Sequence, residues 1–118
     1  MRRTLTPALL CLAPAALAAP ADVVAVEVRA ETGGTYRFEV TVASDETGWD
    51  KYADRWEVVA PDGTVLGTRE LLHPHVTEQP FTRALGGVAI PEGIATVRVR
   101  ARDSVEGWGG AEMTVDLP

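Results

Sequence analysis

Beyond residue 20 the chain alternates apolar and polar positions with a period of two. In Tyr36-Arg37-Phe38-Glu39-Val40-Thr41-Val42 every second side chain is apolar and its neighbours are charged or hydroxylated, as in a strand with one buried face. Val24, Val26 and Val28 alternate in the same way with Ala25, Glu27 and Arg29, and Trp56 and Val58 with Arg55 and Glu57. Val97, Val99 and Ala101 alternate with Arg98, Arg100 and Arg102, and Met113, Val115 and Leu117 with Thr114 and Asp116. Weaker segments, about Thr64 to Leu72 and Phe81 to Val88, fill the middle. No stretch carries the 3.6-residue period of an amphipathic helix.

About seven short strands separated by turn signals predict an all-β chain, folded as a single antiparallel seven-stranded sandwich of immunoglobulin-like order. The segment Val88-Ala89-Ile90-Pro91-Glu92-Gly93, continuing through Val97-Arg98-Val99-Arg100-Ala101-Arg102-Asp103 to Gly107-Trp108-Gly109, resembles the second half of fibronectin type III and related bacterial modules. Those modules carry an apolar residue, Pro and Gly, then V-x-V-x-A-x-D and a glycine-containing loop. Ala95 stands where they carry a tyrosine, so the tyrosine-corner hydrogen bond is missing. The runs Gly48-Trp49-Asp50-Lys51-Tyr52-Ala53-Asp54, Leu72-His73-Pro74-His75 and Gln79-Pro80-Phe81-Thr82 also resemble a group of small exported proteobacterial proteins without an assigned activity.

The first residues change the picture of where the domain works. Arg2 and Arg3, the apolar run through Leu9, Leu10 and Leu12, and Ala16-Leu17-Ala18 read as an export signal cleaved after residue 18. The expected division is a signal peptide over 1–18 and a β-sandwich domain over 19–118, periplasmic or secreted. Cys11 is the only cysteine and lies inside the signal, where Ala8-Leu9-Leu10-Cys11 loosely matches a lipoprotein cleavage box. After cleavage at 18 no thiol remains, which excludes disulfides, thiolate metal sites and cysteine nucleophiles in the domain. The net charge is −6 and becomes more negative once Arg2 and Arg3 leave, against charge-driven binding of nucleic acid or anionic lipid. No segment of the domain suits membrane insertion.

In fibronectin-like order the loops sort into two poles. One holds Pro61-Asp62-Gly63-Thr64 and Pro91-Glu92-Gly93, whose residues turn geometry explains. The other gathers Asp45 to Asp54, His73 to Pro80 and Asp103 to Gly110, with Trp49, Trp108, Tyr52 and both histidines. Such an end is where a rigid sandwich presents a ligand to its loops. Trp49 and Trp108 are expected either to form an aromatic platform or to cap the open end of the core, and a ring can do both. Trp56 is in register with Val58 and is assigned to the core.

His73 and His75, two apart on an extended segment, point to one side and could share a zinc or copper(II) ion, with Glu78, Glu106 or Asp50 as a third ligand. Pro74 between them favours instead a local turn with partly exposed, hydrogen-bonding imidazoles. Asp45, Glu46, Asp50 and Asp54 share the composition of a calcium loop without its spacing. Arg98, Arg100 and Arg102 form an outward row, read as a charge ladder with Glu57, Glu112 and Asp116. No nucleophile-elbow motif frames Ser104 beside Asp103, no phosphate loop occurs, and no enzyme activity is expected. The resulting expectation is a small exported binding module that engages a protein, peptide or glycan through Trp49, Asp50, Tyr52, Glu78 and Trp108. The alternative is a periplasmic divalent-metal binding protein using His73 and His75.

Overall fold

The computed structural model describes residues 19–118, so the expected signal peptide and Cys11 lie outside the described residues. Seven strands follow one another: β1 (Asp22–Ala30), β2 (Thr35–Ala43), β3 (Ala53–Val59), β4 (Val65–Glu70), β5 (Phe81–Ala89), β6 (Thr96–Asp103) and β7 (Met113–Asp116). No helix occurs among the described residues. The strands form two antiparallel sheets, ordered β1-β2-β5 and β4-β3-β6-β7, packed face to face as a β-sandwich.

The period-two residues supply the core. Phe38, Val40 and Val42 from β2 meet Trp56 and Val58 from β3 and Val97, Val99 and Ala101 from β6, all buried, with Phe81 and Val88 contributed by β5. Burying such side chains is worth about 1.5–3 kcal/mol each and drives the two sheets together.

Bulges interrupt simple alternation in β1 and β5, and β3 also slips register, beside Ala53 and again at Val58 and Val59, so that Trp56 to Val59 are buried in a row. In β1 the register slips between Val23 and Ala25, so Val23 rather than Val24 is buried and Val24 turns to solvent. Val26 and Val28 keep the inward face and pack at the core margin. The extra residue of a bulge sends one side chain out of phase, which a strict reading of the alternation does not anticipate. In β5 the inward positions run Phe81, Leu85 and Val88, with the slip over Gly86 and Gly87. Gly87 takes φ +68, and its N–H donates to Glu31 Oε1 at 2.8 Å.

The outer face of the four-stranded sheet carries the charge ladder, with one changed partner. Arg100 Nη2 reaches Glu57 at 2.8 Å and Arg98 Nε reaches Glu112 at 2.8 Å. Arg102 pairs with Asp54 at 2.5 Å, while Asp116 stands opposite Thr96.

The register places the loops. Ala43 pairs with Asp22 and Phe81 with Val42 in one sheet, while Ala53 pairs with Asp103 and Arg55 with Glu70 in the other. The β2–β3, β4–β5 and β6–β7 loops therefore leave from one end of the sandwich, together with the start of β1. The opposite end has short reversals such as Ala60 to Thr64, where Asp62 Oδ1 accepts the Thr64 N–H at 3.0 Å.

A candidate binding tip

Three buried polar side chains fuse the loops into one body. Glu46, in the β2–β3 loop, accepts the His75 N–H on Oε1 at 2.5 Å and the Ala53 N–H on Oε2 at 3.1 Å, and Ser44 Oγ donates to the same carboxylate. Lys51 Nζ donates to Asp103 Oδ2 at 2.5 Å and to the Ala19 carbonyl at 3.0 Å. Asp103 then accepts the Val105 and Glu106 N–H groups on Oδ1, at 2.8 and 2.9 Å, and so shapes the β6–β7 loop. The Ser104 N–H donates to the Tyr52 carbonyl at 2.8 Å, and the Tyr52 N–H to Ser104 Oγ at 3.1 Å. Gln79 adds a clamp, accepting the Ser44 N–H at 2.9 Å and donating to the His75 carbonyl at 2.9 Å.

Burial alone would raise the pKa of Asp103, but the hydrogen bond from Lys51 and the two backbone donors outweigh it and hold the carboxyl below its ordinary value. The sequence marks Asp103 as the end of V-x-V-x-A-x-D and Glu46 as one acid in an acidic loop. It does not show that either is a buried brace. For Lys51 a signal exists: it is the only lysine or arginine in the three loops.

On this braced frame stand exposed apolar side chains. Trp49 is 67% exposed, Leu72 76%, Val76 49% and Val105 59%. They come from all three loops, and they are four of the six large apolar side chains that the described residues expose. Trp49 meets Tyr52 edge to face, with centroids 5.5 Å apart. Asp50 is exposed beside Trp49.

Trp108 is placed elsewhere. Its ring lies under the guanidinium of Arg100, 4.2 Å from the centroid, with Arg55 at 5.4 Å, so it covers the outer face of the four-stranded sheet. The structure therefore does not join Trp49 and Trp108 in one platform, and with Trp49 mostly in water neither tryptophan caps the core. The aromatic layer at this end is His75 stacked on Phe81, ring centroids 4.0 Å apart and planes 14° apart.

The two histidines are neighbours with different surroundings. Their rings lie 4.7 Å apart, tilted by 41°. His73 is exposed, with Nδ1 3.0 Å from the Pro74 carbonyl. His75 is buried, and among the described residues neither of its ring nitrogens has a hydrogen-bond partner. Burial chiefly lowers its pKa, and the charges of Arg83 and His73 lower it further against the opposing pull of Glu46 and Glu78. Glu78 is committed to Arg83 at 3.1 Å, which lowers its own pKa. Among the described residues no group of three or more His, Cys, Asp or Glu side chains could hold one metal ion. A zinc or copper site would rest on the two imidazoles alone.

No family model and no solved structure matches the chain. A protein of Halomicrobium mukohataei, named "Putative lipoprotein", is 45% identical over 96 residues, covering 81% of this chain and 47% of that protein. The chain thus spans about half the length of the curated relative it matches.

Proposed function

We propose that this chain is a small exported binding module that engages a protein or peptide partner through the tip formed by its β2–β3, β4–β5 and β6–β7 loops. The observation that carries the reading is the placement of Trp49, Leu72, Val76 and Val105, all exposed, on three loops locked together by Glu46, Lys51 and Asp103. Exposed apolar side chains gathered at one end of a rigid fold mark interaction surfaces, since they retain binding energy for a partner to release. Preorganised loops spare the ordering cost that mobile loops would incur on binding. Aliphatic Leu72, Val76 and Val105 suit a polypeptide surface better than a sugar ring, which favours flat aromatic partners. The strand order supports a fibronectin type III-like build, with V-x-V-x-A-x-D on β6.

The name of the Halomicrobium relative supports an exported, envelope-associated location. It also favours a second reading of the leader, in which Cys11 behind Ala8-Leu9-Leu10 is lipidated and holds the domain at a membrane instead of releasing it to the periplasm or medium. Incorporation of labelled lipid that Cys11→Ser abolishes would support the anchored form, and its absence from the wild-type chain would leave the cleaved form.

A photo-activatable residue placed at 49, 72 or 105 tests the tip in exporting cells, with position 65 at the opposite pole as reference. A discrete adduct from the three tip positions and none from 65 is expected. No adduct, or equal yield from both poles, would overturn the reading.

A further inference from the structure

We propose that the partner of the tip is a cationic, apolar polypeptide segment, one in which lysine or arginine side chains flank leucine-like ones. This rests on the binding reading above and adds the chemistry of the occupant. The argument is the charge carried by the loops that expose the apolar side chains. Asp50 follows Trp49, Glu106 follows Val105, and Asp45 opens the same loop as Trp49; all three carboxylates are exposed.

Outside the tip Glu39, Asp54, Glu57 and Glu112 each meet an arginine, while Glu27, Glu70, Glu92 and Asp116 stand unpaired among the described residues but outside the three loops that expose the apolar side chains. Asp45, Asp50 and Glu106 meet no cation among the described residues. The one lysine of the three loops is spent internally, with its ammonium buried on Asp103, and Glu78 is already paired with Arg83. An approaching partner therefore meets three loops that expose apolar side chains together with carboxylates that no cation of the described residues pairs. Such uncompensated negative charge speeds encounter with a cationic partner and repels acidic proteins and anionic lipid headgroups. The partner must also supply apolar surface, because Leu72 and Val76 are exposed at the same end of the sandwich and have no polar group to satisfy.

Fluorescence anisotropy on the full exported chain tests this with two synthetic twelve-residue peptides, one alternating leucine with lysine and one alternating leucine with glutamate. The leucine-lysine peptide is expected to bind about tenfold or more tightly than its acidic counterpart, with affinity falling as salt rises. The combined variant Asp45→Asn/Asp50→Asn/Glu106→Gln is expected to lose about tenfold and most of the salt dependence. Glu27→Gln/Glu92→Gln/Asp116→Asn, which removes as much charge outside the tip, is expected to change it less than about twofold. Leu72→Ser/Val76→Ser must also weaken binding, because undiminished affinity would mean attraction by charge alone and would overturn the proposal. Equal affinity for both peptides, binding of neither, or an unaffected tip variant would overturn it too. If the photo-adducts at 49, 72 and 105 persist in the tip variant, the binding reading stands and only the charge assignment falls; if they never form, the binding reading itself falls.

Discussion

The ammonium of Lys51 stands 2.5 Å from a carboxylate oxygen of Asp103, a side chain wholly removed from solvent. Removing one member of a buried pair strands the other, which costs about 3–5 kcal/mol, far more than loss of a surface ion pair. Lys51→Met is expected to lower stability by that amount in urea unfolding. Asp103 titrates below its ordinary value in the folded chain, so its contribution is fully present above the unfolded pKa, about 3.9, and is lost as pH falls through the folded value. Without Lys51 the folded pKa rises toward the unfolded value, so this part of the acid loss should shrink and the acid limb of the stability curve become shallower. An unchanged acid limb in Lys51→Met would show that the pair does not set it.

His75 gives a second pH dependence of different origin. Its folded pKa lies below the unfolded value of about 6.5, so the unfolded chain takes up a proton first as pH falls. Stability is therefore level above about pH 6.5 and declines as pH drops below it toward the folded value. His75→Phe keeps a ring against Phe81 and removes the titrating group. It should flatten this part of the curve, as thermal melts across the range would show. The His75 ring protons should also titrate below the usual histidine range by NMR.

The three tryptophans should separate cleanly by quenching and by mutation. Trp49 is exposed, and its truncation to Ala is expected to shift stability by no more than about 0.5 kcal/mol. Trp56 is completely buried, and Trp56→Ala should cost about 3–5 kcal/mol. Acrylamide should quench the wild-type emission in part, and Trp49→Phe should remove most of the quenchable fraction. Full quenching remaining in that variant would place the exposed indole elsewhere.

Gly110 seats the start of β1 against the β6–β7 loop. A Cβ built there would overlap the Ala21 carbonyl, a backbone group that has no rotamer by which to move aside. Next to it the Ala111 N–H donates to Asp22 Oδ1 at 2.7 Å and the Val23 N–H to the Ala111 carbonyl at 2.8 Å. Gly110→Ala should destabilise by about 1–3 kcal/mol, with loss of amide exchange protection at Val23 first. Stability and protection equal to wild type would mean that the two segments are not in the contact described.

All seven strands were legible because alternation is a local property of the chain. Side chains on an extended backbone fall on opposite faces whatever lies beyond, so Phe38, Val40 and Val42 announce a buried face without reference to a neighbour. Val24 shows where this stops. A bulge is set by the pairing of β1 with β2 across the sheet, and nothing in the valine run marks which residue it ejects. The candidate site was legible in part: Trp49, Tyr52 and His75 stand out by type in chemically rich loops. Trp108 has the same glycine-tryptophan setting as Trp49, yet it lies under Arg100 on a sheet face.

By itself the sequence determined the all-β class, the inward faces of most strands and the acidic balance of the chain, all of which follow from composition and short-range periodicity. Only the tertiary structure decided that Glu46, Lys51 and Asp103 are buried braces while Asp45, Asp50 and Glu106 stay in water beside apolar neighbours. The reason is physical. A carboxylate's role depends on which donor from a distant segment reaches it and whether that contact excludes water, and Lys51 meets Asp103 across 52 positions of chain.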